Sequence, residues 1–100
     1  MTLYLCGPIS SDDNARAEAN LAAFEVTERK LTAKGYKVCN PIDNVNPSWR
    51  WEKCMRVTIA HMLTCDAVYM LKGWDHSRGA VIEHGLAVSI GMMVYDERTL

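Results

Sequence analysis

Apolar and polar positions along this chain fall into blocks of changing period, and the blocks predict the order β-α-β-α-β-α-β. Thr2 to Cys6 form a short apolar run that stops at Gly7-Pro8, the pattern of a buried strand. Ser10 to Asn14 are polar and suit a helix start, with Asp12 or Asp13 as its cap. A helical repeat then runs to Lys34 and places Ala17, Leu21, Phe24 and Leu31 on one face. Lys30 and Lys34 suit the C-terminal end, and Gly35 stops the helix. Tyr36 to Cys39 read as a second strand, ended by Asn40-Pro41. Ser48 is the expected N-cap of a second helix that reaches Leu63, with Trp51, Met55, Ile59 and Met62 inward. Ala67 to Leu71 are the third strand. A third helix is expected from Arg78 to Ile90, with Ile82, Leu86 and Ile90 inward. Met92 to Tyr95 follow Gly91 as the fourth strand.

The strands are short, continuous and apolar, as parallel strands covered on both faces are. Right-handed crossovers then give an α/β doubly wound sheet in the order 2-1-3-4, with helices on both faces. One hundred residues hold a single such domain, residues 1–100. Sheets of this type take ligands beyond the carboxyl ends of their strands. Here those ends are Cys6 to Ser10, Asn40 to Asp43 and Lys72 to Gly79, which carry most of the Gly, Pro and polar residues.

Composition narrows the classes. Apolar residues are 49% of the chain and charged ones 23%, which is ordinary for a packed domain. Net charge is −1 and the basic residues are scattered, so no footprint for duplex nucleic acid is present. Cys6, Cys39, Cys54 and Cys65 show no CxxC spacing and read as buried free thiols of a reducing compartment. His61, His76 and His84 have no mutual metal spacing, so neither a metal nor a cofactor is expected. No signal peptide and no membrane-spanning run is visible, and a cytoplasmic location is expected.

Three constellations could carry chemistry. Gly7-Pro8-Ile9-Ser10-Ser11 joins the first strand to its helix; it reads as a ligand-contacting turn or as a plain tight turn. In Ser77-Arg78-Gly79-Ala80-Val81-Ile82-Glu83, Gly79 shares a helix face with Glu83, and Ala80 and Ala87 flank that carboxylate at i−3 and i+4. Small neighbours leave room for a ligand to approach it; otherwise it is a solvated surface glutamate. Asp66 opens the third strand, as a catalytic carboxylate or as a satisfied turn residue. Trp49 and Trp74 could stack on a planar base, while Trp51 fits the core stripe.

Taken together, Leu3 to Ser10, Gly35 to Pro41, Cys65 to Val68, Gly73-Trp74 and Ser77 to Glu83 resemble small domains of unknown function, of the DUF4406 type, grouped with nucleoside 2-deoxyribosyltransferases. The resemblance covers nearly the whole chain, and the Ser-Gly-Glu block is its most specific part. It implies a flavodoxin-like sheet and cleavage of the N-glycosidic bond of a nucleoside or nucleoside 5′-monophosphate, by hydrolysis or deoxyribosyl transfer. It places the nucleophile at Glu83, an orienting tyrosine at Tyr4, a phosphate-contacting serine at Ser77 and the sugar or phosphate loop at Gly7 to Ser10. Asp43, Ser77 and Gly79 complete the expected substrate contacts, with Asp66 as a catalytic carboxylate. Active relatives carry a further carboxylate eight residues before the Asp66 position, where this chain has Thr58. Asp66, Asp43 or Asp75 then substitutes, or catalysis is weak, or the domain is a non-catalytic one that binds nucleotides or a partner. A homodimer or larger assembly, packed through the helix bearing Trp51 to Leu63, is expected from the apolar Met55, Met62, Met92 and Met93 and from the closed sites of relatives.

Overall fold

A computed structural model describes all 100 residues. The elements are β1 (Thr2–Cys6), α1 (Asn14–Ala33), β2 (Lys37–Cys39), α2 (Trp51–Met62), β3 (Ala67–Met70), α3 (Arg78–Ser89) and β4 (Met93–Tyr95). Two single turns of 3-10 helix, Pro41–Asn44 and Trp74–His76, follow β2 and β3. All four strands are parallel, in the order β2-β1-β3-β4. The α/β flavodoxin-like arrangement expected from the sequence is therefore present.

Alternation along β1 divides the core. Leu3 and Leu5 point to one face and meet Phe24 and Leu31 of α1, together with Ala67, Tyr69 and Leu71. Tyr4 and Cys6 point to the other, with Val68 and Met70, under Met62 of α2 and Ala80 and Ala87 of α3. Register makes the division consistent, because Tyr4 lies beside Val68 and Cys6 beside Met70. The polar atoms of Tyr4 and Cys6 thereby face α3. Beyond the strands, Leu71 N donates to Cys6 O at 2.8 Å, and a Cβ on Gly7 would lie 2.8 Å from Leu71 Cβ. Gly7 is thus required by the close approach of two chain segments.

Local signals hold at some ends and fail at others. Asp13 caps α1, accepting from Ala15 N and Arg16 N, and Gly35 takes φ +94° just beyond it. Ser48 does not cap α2. That helix starts after Arg50, without a side-chain cap, and Ser48 is held in a preceding turn by Asn46 Oδ1 through both its N–H and its hydroxyl. Asn46 competes for the serine, as short polar side chains do in turns.

Two helices are rotated from the apolar stripe read in the sequence. On α1, Leu21 is exposed, and Phe24 and Leu31 carry the burial. On α3, Ile82 and Ile90 face outward, and Ala80, Glu83 and Ala87 face the sheet. Val81, Ile82, Leu86, Val88 and Ile90 make α3 apolar nearly all round, so periodicity selects no face. Available space decides instead: two alanines let the helix approach the sheet, and Tyr4 and Cys6 receive the glutamate. The methionines behave likewise. Met62 is fully buried and Met55 half-buried, while the exposed large apolar side chains are Val81, Ile82 and Val88 on α3, Ile90 at its C-terminal cap, Met93 on β4, and Met1, Leu21, Val26 and Leu63. No helix is long and apolar enough to cross a membrane.

This packing predicts a graded mutational response in urea denaturation. Phe24→Ala should lose about 3–5 kcal/mol, and Ala87→Leu about 1–3 kcal/mol by overfilling the gap between helix and sheet. Ile90→Ala, outside the core, should stay within about 0.5 kcal/mol.

Candidate functional site

Glu83 sits in the second turn of α3 with its side chain turned into the domain and 6% of its surface exposed. The Tyr4 hydroxyl donates to Glu83 Oε2 at 2.6 Å, and the Cys6 thiol reaches Oε1 at 3.5 Å. Thr58 of α2 donates its hydroxyl to Met55 O at 3.2 Å and lies against both the Glu83 carboxylate and the Tyr4 phenol. Two neutral donors from β1 therefore bond one carboxylate, and a threonine hydroxyl of α2 stands beside it. None of the ion pairs in the fold involves Glu83.

Burial dominates the electrostatics. It holds the Glu83 carboxyl above the usual glutamate range, and the bonds from Tyr4, Thr58 and Cys6 pull it partly back. The Tyr4 phenol and the Cys6 thiol are pushed far up by burial and by the neighbouring Glu83 charge, so both stay protonated and serve only as donors. A carboxylate kept accessible to protonation, aimed by a short bond and screened from water, is a group equipped for nucleophilic or acid–base work.

The remaining expected residues fall into two sets. Ser77 caps α3, its Oγ accepting from Ala80 N at 3.3 Å, so the hydroxyl is engaged within the helix. Gly79 faces α2, where its Cβ would meet Met55 Sδ at 3.0 Å. The room expected beside Glu83 is thus filled by helix packing. Pro8 approaches Gly73, which brings the first and third loops together. Ile9 packs on the α1 face and its carbonyl accepts from Asn20 Nδ2, while Ser10 is exposed. Asp43 is exposed in the turn beyond β2. Asp66 lies apart. It is at the amino edge of the sheet, exposed, with Oδ2 accepting from Thr2 N at 2.8 Å, which is the satisfied turn role and leaves the Glu83 cluster without it.

Sequence reasoning missed Cys6 and Asn40. In the sequence Cys6 reads only as a buried free thiol at the end of the first strand; its parity with Tyr4 was the available signal. Asn40 is buried, accepts from Ile42 N and donates to Glu28 of α1, anchoring the second loop. Each tryptophan has its own partner. Trp74 stacks on His84 with centroids 4.2 Å apart, Arg78 lies over Trp51, and Lys53 lies over Trp49. A cleft of about 680 Å³ opens on the other face, between α1 and the ends of β3 and β4. Trp74 lines it; Glu83 does not. No group of three or more His, Cys, Asp or Glu side chains is arranged to hold a metal ion.

The charge state of Glu83 has a measurable sign. Its folded pKa lies above its unfolded one, so the folded state binds the extra proton and stability falls as pH rises through that window. Glu83→Gln removes the titration. Urea denaturation should find the variant at least as stable as the parent at neutral pH, with its relative advantage shrinking as the pH falls through the window above the ordinary glutamate range and constant below that range.

The sequence matches, over residues 1–96, the family described as Domain of unknown function (DUF4406). No curated protein matches it. With nearly every residue inside that match, and with its fold and buried glutamate described, the chain belongs to the DUF4406 family.

Proposed function

We propose that this domain cleaves the N-glycosidic bond of a nucleoside or nucleoside 5′-monophosphate through Glu83, as a hydrolase or a deoxyribosyltransferase. One observation carries the reading: a buried carboxylate, held by Tyr4 at 2.6 Å, stands among neutral donors with no cation beside it. Such a group destabilises the fold when ionised, which gives it a reason to be kept for chemistry. The resemblance to nucleoside 2-deoxyribosyltransferases supplies the reaction class.

A Glu83 oxygen attacks the anomeric carbon, the carbon–nitrogen bond breaks, and its electron pair leaves with the base, which takes up a proton. Water, or a second base, then attacks the anomeric carbon; it loses a proton and the carboxylate is regenerated. Tyr4 fixes the carboxylate without being consumed. Thr58 stands against Glu83 where relatives carry an acid, and a hydroxyl of ordinary acidity is a poor proton source. The departing base therefore draws its proton from water. General acid catalysis is typically worth about 10²–10⁴-fold, which sets the scale of the handicap.

Thr58 favours a second reading, a domain that binds a nucleotide without turning it over. Incubating the protein with a panel of nucleosides and their monophosphates, then separating free base by chromatography, distinguishes the two. Release that disappears in Glu83→Gln supports the enzyme. Release that persists in Glu83→Gln excludes Glu83 as nucleophile. Calorimetric binding with no release supports the second reading. Thr58→Asp should raise the rate of an active parent. Self-association belongs to this proposal too, and light scattering at micromolar concentration should give a mass above that of one chain.

A further inference from the structure

The two β1 donors to Glu83 differ in how firmly they are committed. The Tyr4 hydroxyl is committed to Oε2 at 2.6 Å. The Cys6 thiol has a single hydrogen and two acceptors in reach, Glu83 Oε1 at 3.5 Å and Ala80 O at 3.4 Å. Cys6 is fully buried, so water does not take up the difference. A carbonyl oxygen has two lone pairs, so Ala80 O can accept the thiol beside its own helical bond. Ala80 and Glu83 are one turn apart on the inner face of α3, so both acceptors stand fixed above β1.

We propose that Cys6 is a positioning residue whose S–H hydrogen turns between two acceptors, bonding the Glu83 carboxylate when it is ionised and the Ala80 carbonyl when it is not. An ionised oxygen attracts a hydrogen-bond donor about twice as strongly as a neutral one, which sets the direction of the turn. No other titratable side chain competes. From β1 the facing groups are Tyr4 and Cys6, from α2 Thr58, and from β3 only the apolar Val68 and Met70. On α3 itself, Ala80 and Ala87 flank the carboxylate, and His84 is stacked on Trp74. The thiol stays protonated throughout because burial and the adjacent carboxylate push its ionisation far up. The use of this movement in catalysis rests on the reading of Glu83 as nucleophile. The donor supports Oε1 while it carries charge and withdraws to the backbone when that charge is spent in a bond, with no water to reorganise.

Two measurements on the wild-type protein test this without turnover. Carbon-13 NMR of labelled glutamate gives the titration of Glu83. Infrared spectroscopy follows the S–H stretching bands, which lie in a window clear of other protein absorption. One S–H band, absent in Cys6→Ala or Cys6→Ser, should shift in step with the Glu83 titration. In Cys6→Ala the Glu83 midpoint should rise by about one pH unit, the order expected on losing one donor to an ionised acceptor. Cys6→Ser, which keeps a donor, should restore it. In an active enzyme the acid limb of the kcat profile should move with the midpoint. An S–H spectrum that stays unchanged while Glu83 titrates overturns the proposal, and so does a Cys6→Ala midpoint equal to the parent's. Should Cys6→Ala not fold, the wild-type spectra read against Cys6→Ser still decide. A protein that releases no base from any nucleoside yet shows the coupled shift removes the nucleophile reading and leaves the turning donor in place.

Discussion

The bond from the Tyr4 hydroxyl to Glu83 Oε2 is the constraint on which this domain's inner half depends. It joins the central strand to the last helix across 79 positions of sequence. A buried carboxylate without it would face only a weak thiol donor and a threonine hydroxyl with another acceptor in reach. An unsatisfied buried ion is among the most expensive defects a core can hold. The helix bearing Glu83 is therefore oriented by a polar bond as much as by its apolar side chains. That is why α3 shows its isoleucines to solvent while a glutamate points inward.

Strand order and helix count were legible because they follow from period and length. Short apolar runs separated by long amphipathic segments leave little besides a parallel doubly wound sheet. The rotation of α3 was not legible in the same way. Its apolar residues occupy almost every direction, and the deciding quantities were the volumes of Ala80 and Ala87 and the parity of β1. Those are properties of two elements taken together. The cap of α2 failed for a local reason, since Asn46 had already claimed Ser48 in a turn.

The site divides along similar lines. Tyr4, Glu83 and Thr58 were named from their positions in a recognisable pattern, and they meet in space. The glycines were named for the room they leave, and here packing fills it, by Leu71 at Gly7 and by Met55 at Gly79. A glycine in a sequence says that something comes close; whether that is a ligand or the chain itself is set by the neighbouring elements. Asp66 was attractive as a carboxylate near an apolar strand, but it opens β3 at the amino edge, whereas Glu83 meets the Tyr4 and Cys6 side chains in the inner face. Cys6 carried no polar signal at all in a run of apolar residues.

The two alanines beneath α3 also bear on how this domain can change over evolutionary time. Ala80 and Ala87 set the distance between helix and strand, and Glu83, between them, spans that distance to reach a phenol of fixed length. A larger residue at either position would lift the helix and lengthen the Tyr4 bond. Core volume and the aim of the carboxylate are then a single variable. Drift in the one is drift in the other, and a lineage that repacks this layer must either re-aim its glutamate by a compensating change in β1 or give up the function it serves.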